Sequence, residues 1–509
     1  MVRRFPEPAV WNPFKHRVAF SGLEIVELVL GGVFLLPLRI LGIIVVFPLV
    51  WLTLTIPTIG VKPGQHLSPW RRFFVLNVTT YAVRLILFIC GFLWVKYSGK
   101  RASYTEVPVN VVAPHVTPFD GFFVGGVVYG SALICSDVLS SPLTSPIVPC
   151  TEAIPVNREN AQQRSKVLDL VKTFLSSPGR QTHLVAFPEG TCGGGKSLLS
   201  FRRGAFQPGT AVQPIVLDYR ARQLISVWSF DCQSPAVQML LQLSRLYSPL
   251  HIKFLDVYRP SEAEKQDPVL YANNVQAVVA RELGCPSTQH TRDDGMLVYK
   301  ALQLGLPADA GCVELGILKQ QLGLSMSQLK EAMARFASVN TAKNGHVTQA
   351  EMSAYLAWPV QGHVPEMFRE YDTGKCNYLT FRDFLLGLVD LTYAVPDQEN
   401  LKVSAFKALS GGADEITVDG VRSFFEENDI AVSIVESQAL LNSWSVLSGA
   451  HSSGKLNKDE FATLLRRCPE YLVLLFWTLF GMDGFPPVTP PAAEDKPDRR
   501  RRKSTPALI

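Results

Sequence analysis

The sequence predicts a membrane-tethered α/β domain followed by an all-α domain built from helix–loop–helix units. Three observations carry this. Two long apolar runs lie near the N-terminus. Short β-rich runs alternate with helical stretches from Ala102 to Tyr258. A Phe-containing helix, a polar turn and a second Phe-containing helix then recur between Phe336 and Leu465.

Residues 1–22 are basic and aromatic, with Arg3, Arg4, Lys15 and Arg17. The first apolar run, Leu23 to Ile59, carries only Glu24, Glu27 and Arg39 as charges. Its uncharged core, Ile40–Ile56, has 17 residues, the short end for a spanning helix. A second run covers Phe73–Val95 and is broken by Arg84. One or two transmembrane helices, or a hairpin that enters and leaves one leaflet, both fit residues 23–98. A cleavable signal peptide does not fit, because the run is too long and no small-residue cleavage site follows closely.

The α/β domain is expected over residues 99–258. Strands are read at Val107–Ala113, Gly125–Tyr129, His183–Phe187 and Val212–Leu217, and a helix at Gln162–Leu175. Residues 259–325 form a mainly helical connector. The repeat occupies 326–467, with turns starting near Asn340, Asp372, Leu409 and Gly449, which are 32, 37 and 40 residues apart. An apolar stretch, Tyr471–Phe480, opens the final segment 468–509. Its tail, Pro486–Ile509, is Pro-rich, includes the basic run Arg499–Lys503 and reads as disordered. That run has the composition of a nuclear localisation patch, and beside a membrane it would equally bind anionic lipid.

The composition narrows the class of protein. The 509 residues are 47% hydrophobic and 18% charged, below the roughly 25% charge of soluble domains. A net charge of +5 suits contact with anionic headgroups and is too small to argue for nucleic acid. The nine cysteines form no CxxC pair, so zinc ribbons and thioredoxin-like sites find no support. No disulfide framework is visible, and a reducing environment is the simpler expectation. Asn77-Val78-Thr79 spells a glycosylation sequon but lies inside an apolar run.

The chemistry concentrates in two motifs. His115-Val116-Thr117-Pro118-Phe119-Asp120 follows an apolar strand. His115 can act as a general base, and Asp120 can fix its tautomer and stabilise the imidazolium. The same turn has a purely structural reading: Thr117 as N-cap, Pro118 in the first helical position, and Asp120 where a capping box places its acid. The two readings are compatible. The second motif, Pro188-Glu189-Gly190-Thr191-Cys192, follows the strand-like His183–Phe187 and offers a carboxylate, a hydroxyl and flexible backbone N–H groups to a phosphate or glycerol moiety.

Together, His-x4-Asp and Phe-Pro-Glu-Gly-Thr resemble the glycerolipid acyltransferase family. Val156-Asn157-Arg158 is similar to the short block whose Arg binds the acceptor phosphate, and Val212-Gln213-Pro214-Ile215-Val216 to the fourth block. Cys192 after Glu-Gly-Thr, then Phe201 and Gly204-Ala205-Phe206, resemble the lysophosphatidylcholine acyltransferase branch, which also carries C-terminal EF-hand-like repeats. The resemblance spans roughly residues 25–465. Val116 and Pro118 depart from that branch, which tends to place small polar residues after the His.

The fold class this implies is an α/β acyltransferase domain with N-terminal membrane helices, followed by an all-α EF-hand-like domain. The implied roles are His115 as base, Asp120 as its orienter, Arg158 as phosphate ligand, and Glu189, Gly190 and Thr191 as acceptor-positioning groups. The implied partners are an acyl-CoA donor, a lysophospholipid acceptor and membrane lipid, with no required cofactor. Lysophosphatidylcholine is the favoured acceptor. Lysophosphatidic acid, and acetyl transfer to an ether-linked lysolipid, stay open. The endoplasmic reticulum membrane is the expected compartment, with Golgi and lipid droplet as alternatives.

Two rivals use the same residues. Gly190-Thr191-Cys192-Gly193-Gly194-Gly195-Lys196-Ser197 spells a phosphate-binding P-loop after a strand. The long helix a P-loop requires does not follow, since Gly204 and Pro208 interrupt. A non-catalytic membrane scaffold is the other rival, opposed by the intact His115, Asp120, Arg158 and Glu189.

A calcium loop needs oxygen ligands at positions 1, 3, 5 and 12 and Gly at 6. The first loop has Asn340, Asn344, Gly345 and Glu351, but Ala342 fills position 3. In the second, Gly374 and Cys376 replace ligands, and the third has almost none. In the fourth, Gly454 and Glu460 fit, with Ser453 a weak ligand. A helical module that no longer binds Ca2+ tightly is expected. Asn340, Asn344 and Glu351 are the metal-ligand candidates.

Overall fold

The computed structural model describes residues 12–61, 67–127, 130–135, 154–156, 161–177, 182–219, 222–315, 324–359, 362–395, 397–450 and 454–481. The chain divides into two compact units. One comprises Asn12–Gly295, and the other holds the described residues from Met296 onward. The boundary falls inside the stretch 259–325.

The first unit opens with two apolar helices, α1 (Gly22–Thr55) and α2 (Pro69–Ile89). Ser21 and Glu24 close a capping box that starts α1. Outward-facing Leu23, Val29, Phe34, Leu38 and Ile44 are all more than half exposed, an apolar surface water would not tolerate at this size. This surface makes the unit membrane-associated. The other side of α1 is tied to protein. Gly31 lies against Ser244, where an added Cβ would sit 1.7 Å from the carbonyl oxygen. Arg39 donates to the carbonyls of Leu243 and Leu246 at 2.8 and 2.9 Å, capping the helix Pro235–Ser244. Glu24 pairs with Arg245 at 2.8 Å, and Glu27 pairs with Arg222. At the other end of the pair, Val83 and Leu87 of α2 join the core of the sheet.

The sheet has seven strands: β1 (Val95–Ser98), β2 (Val109–Ala113), β3 (Gly130–Cys135), β4 (Ile154–Val156), β5 (His183–Ala186), β6 (Val212–Asp218) and β7 (Leu250–Phe254). Their order is β1-β7-β6-β2-β5-β3-β4. The block β6-β2-β5-β3-β4 is parallel throughout, and β7 runs antiparallel to β6. β2, β5 and β6 are buried along their whole lengths, as central parallel strands must be. The expected helix appears as Ala161–Ser176. The helix Pro268–Leu283 buries Tyr271, Val275 and Val279 in the core on one sheet face.

One expected element is of a different type. Gly125–Tyr129, read as a strand, belongs in part to the helix α3 (Asp120–Val127), and the strand begins at Gly130. A short apolar run fits either period. Here the N-terminal capping at Thr117 and Asp120 starts a helix that carries through Val127.

Among the described residues, the second unit contains four helix–loop–helix hairpins. The first pair is Met326–Val339 with Gln349–Leu356 and Val364–Tyr371 with Phe381–Ala394. Its two loops are joined by an antiparallel bridge between Val347 and Leu379. The second pair is Gln398–Ser410 with Val418–Glu427 and Ile434–Ser448 with Lys458–Arg467. Its loops meet in the two-residue strands β8 (Glu415–Ile416) and β9 (Leu456–Asn457). The apolar stretch foreseen at Tyr471–Phe480 is the helix Glu470–Phe480. Its residues Glu470 to Thr478 are all buried in a core shared with Phe336, Phe384, Phe424 and Trp444.

Candidate active site

Parallel register places the site. Val111 of β2 pairs with Ala186 of β5, and Ala113 of β2 with Val216 of β6. The three strands therefore end side by side, and the residues just past their C-terminal ends converge, where parallel α/β sheets place their ligands. These residues are His115, Glu189 and Tyr219.

The His115 Nδ1 lies 2.8 Å from Asp120 Oδ2. That oxygen also accepts from the backbone N–H groups of Val116 and Thr117 at 2.7 and 3.0 Å. One carboxylate oxygen thus serves both the backbone at the start of α3 and the imidazole, so the capping and orienting readings of the turn are compatible. Asp120 is fully buried, and its other oxygen accepts from the Tyr219 hydroxyl. The His115 side chain keeps about a quarter of its surface open at 24%, and its ring lies against Phe187 at 4.5 Å between centroids. Burial disfavours the imidazolium, but Cys192 and the Asp120 carboxylate outweigh it and raise the His115 pKa.

Glu189 acts on the backbone. Its Oε1 accepts from His115 N at 2.7 Å and its Oε2 from Leu199 N at 2.9 Å. With 1% exposure it faces inward, and burial lifts its pKa to about 7 against those two N–H bonds. Its two oxygens thus tie the His115 turn to the backbone at Leu199. Gly190 has φ +66, and an added Cβ would sit 2.7 Å from Arg202 Nε. A glycine is therefore what this turn takes on both counts. Thr191 is half-buried beside it. Arg158 lies outside the described residues. Tyr219 escaped the sequence reading. Its only signal was its place one residue past β6, which matters once β6 is known to neighbour β2.

The P-loop reading fails on the same geometry. The Gly193 N–H donates to the His115 carbonyl at 2.9 Å, and the Gly194 N–H to Pro13 at 2.6 Å. The amides that would cradle a phosphate are engaged by protein, and only the short turn Arg203–Ala205 follows.

A buried His–Asp pair with one ring edge open suits abstraction of a hydroxyl proton. A family model described as Acyltransferase matches residues 94–218, a span that contains His115, Asp120 and Glu189. Lysophosphatidylcholine acyltransferase 2B of Rattus norvegicus is 32% identical over 402 residues, covering 78% of this chain and 77% of the relative. The chain belongs to the lysophosphatidylcholine acyltransferase family. Other members align more fully. Lysophosphatidylcholine acyltransferase 2 of Danio rerio is 29% identical over 92% of this chain and 88% of its own. Lysophosphatidylcholine acyltransferase 1 of Mus musculus is 28% identical over 92% and 87%. Among solved structures, the LPA acyltransferase PlsC from Thermotoga maritima covers 51% of this chain and 96% of its own at 15% identity. Its TM-score of 0.35 is too low to bear on the fold. The chain is thus an acyltransferase of this family, with His115 and Asp120 inside the matched span.

In the second unit, the Asn340–Glu351 loop is satisfied internally. Glu351 Oε1 accepts from Ala342 N at 2.9 Å and Thr341 Oγ1 at 3.0 Å, while Oε2 accepts from Thr348 N at 2.9 Å. These bonds pull the Glu351 pKa down to about 2 against its desolvation. Asn340 Oδ1 accepts from Gly345 N at 2.8 Å, and Asn344 Oδ1 from His346 N at 2.9 Å. Among the described residues no group of three or more His, Cys, Asp or Glu is arranged to hold a metal ion.

Proposed function

We propose that this chain transfers the acyl group of acyl-CoA to the free hydroxyl of a lysophospholipid, with lysophosphatidylcholine as the favoured acceptor. The observation that carries the reading is the His115–Asp120 pair at the C-terminal ends of three parallel strands, in a chain of this family. The ring nitrogen of His115 that does not face Asp120 takes the proton of the acceptor hydroxyl. The hydroxyl oxygen attacks the thioester carbonyl, a tetrahedral oxyanion forms and collapses, and the CoA thiolate leaves and takes the proton held on the imidazolium. Asp120 stabilises the imidazolium in between. Arg158 is assigned to the acceptor phosphate on the family resemblance. Gly190 and Thr191 are assigned to the acceptor's glycerol. The N-terminal pair of helices holds the unit on the membrane from which the acceptor comes, and the endoplasmic reticulum is the proposed compartment. The second unit is proposed to be a degenerate EF-hand module, an assignment supported by its paired, bridged loops.

The test is acyl transfer from labelled acyl-CoA to a panel of lysophospholipids in microsomes, with wild type beside His115→Ala and Lys196→Ala. Diacyl product from wild type and Lys196→Ala but none from His115→Ala supports the reading, and the panel names the acceptor. No product from any lysolipid, or wild-type activity in His115→Ala, sinks it in favour of a membrane scaffold.

A further inference from the structure

His115 is fixed at three points: its ring by Asp120, its N–H by Glu189 and its carbonyl by Gly193. The first two anchors are buried carboxylates. The third belongs to Gly193-Gly194-Gly195, the most permissive backbone a chain can offer, with Gly195 at φ +79. Such a run holds nothing in place unless something else holds it.

The segment that precedes α1 does so. Pro13 accepts the Gly194 N–H, and a Cβ on Gly194 would sit 2.7 Å from the Lys15 carbonyl and 2.9 Å from that of Pro13. His16, only 5% exposed, spans two loops: its Nδ1 lies 3.3 Å from Gly194 O and its Nε2 3.0 Å from Leu224 O. The His16 N–H donates to Asp231 O at 3.0 Å. Phe14 is fully buried, edge-on to Phe230 at 5.6 Å and to His290 at 6.4 Å, and its carbonyl accepts from the Ser229 hydroxyl. The stretch Leu224–Asp231 in turn reaches the catalytic turn, where Trp228 N donates to Val116 O at 2.8 Å.

We propose that Asn12–Arg17 is a clamp on the acyl-transfer site, and that His16 is its positioning residue, holding Gly194 and hence the Gly193 anchor against the His115 backbone. The glycine run that spells a P-loop is on this account a seat for the clamp. The inference rests on the assignment of His115 as base. His16 touches no substrate; it acts through Gly194.

The test uses the full chain in microsomes. His16→Ala, Gly194→Ala, the double variant and His16→Gln are compared for kcat, for KM of donor and acceptor, and for alkylation of Cys192 by N-ethylmaleimide, read by mass spectrometry. Cys192 is half-buried and directly precedes Gly193, so its alkylation reports loop order without requiring turnover. Loss of a buried hydrogen bond in His16→Ala, and the clash of the added Cβ with the Lys15 and Pro13 carbonyls in Gly194→Ala, each predict a kcat decrease of about tenfold, with both KM values little changed. Cys192 alkylation rises several-fold, the double variant is no worse than Gly194→Ala, and His16→Gln, which keeps one N–H donor, recovers part of kcat. If His16→Ala does not fold, His16→Gln and Gly194→Ala carry the same comparison. Wild-type kcat with unchanged alkylation in His16→Ala, or additive losses in the double variant, overturns the clamp. An inactive wild type sinks the acyltransferase assignment, while the alkylation series still decides whether the clamp orders the loop.

Discussion

Around His115, the carboxylate of Asp120 does two jobs with one oxygen, and removing its charge should separate them. The base works only as the neutral ring, and Asp120 helps to raise its pKa above the usual 6.5. Asp120→Asn should therefore lower kcat by a factor of 10² or more, roughly the worth of a general base. It should also shift the acidic limb of the kcat/KM profile to lower pH, because the imidazolium loses its partner. A limb that stays in place would mean that Asp120 serves only the cap of α3. Tyr219→Phe removes the hydroxyl that donates to the second oxygen of a fully buried carboxylate. A thermal-melt loss of about 1–3 kcal/mol and a smaller fall in kcat are expected.

Among the elements, α1 carries a split duty. Up to Arg39 it lies against the helix Pro235–Ser244; beyond it, the 16 residues Ile40–Thr55 extend about 24 Å before the chain turns back. That is short of a roughly 30 Å hydrocarbon core. The apolar stretch Gly22–Thr58 and the 21-residue α2 are both long and apolar enough to cross a membrane, so one or two spans and a hairpin within one leaflet both fit the pair. Arg39→Leu leaves the carbonyls of Leu243, near the end of Pro235–Ser244, and of Leu246, just past it, without their donor, and Gly31→Leu drives a side chain into the Ser244 carbonyl. Both should lower the melting temperature in detergent, Gly31→Leu more, as backbone must move. In the loop Asn340–Glu351, calcium would have to displace five hydrogen bonds accepted by Glu351. Calcium at micromolar concentration should leave the melting temperature unchanged; a clear rise that Glu351→Gln abolishes would establish a working site.

At the scale of the whole molecule, two cores are built differently. The first unit exposes apolar surface on purpose along α1 and α2, whereas the second buries even its most apolar helix. That helix, Glu470–Phe480, enters its core beside a charge: Glu470 lies 3.3 Å from Arg335, with the pair 1% and 7% exposed. Arg335 also donates to Arg467 O at 2.6 Å, tying the first hairpin to the end of the last. Glu470→Ala leaves a buried guanidinium unpaired and should destabilise this unit by about 3–5 kcal/mol, read by chemical unfolding of the full chain. The double change Arg335→Met with Glu470→Leu should recover most of the loss. If the single variant matches wild type, the pair contributes nothing to holding the helix.

Much of this was legible along the chain because it is local. Long apolar runs marked both N-terminal helices, β-rich runs marked β2, β5 and β6, and the motif around His115 carried its candidate orienting carboxylate within five residues. The repeat spacing located all four loops of the second unit. Tyr219, the inward turn of Glu189 and the clamp at His16 were not legible. Each depends on which segments lie side by side: Tyr219 on β6 neighbouring β2, Glu189 on β5 ending beside the His115 turn, and His16 on a contact across 178 residues to Gly194. Residues 125–127, part of the run Gly125–Tyr129 read as strand, are helix, because a five-residue apolar run carries no period of its own and capping at Thr117 and Asp120 starts a helix; residues 128–129 lie outside the described ones. The sequence by itself determined the chemistry, since reactive residue types and their local spacing are written there. Only the tertiary structure decided how that chemistry is held in place, because the restraining contacts join residues far apart in the chain.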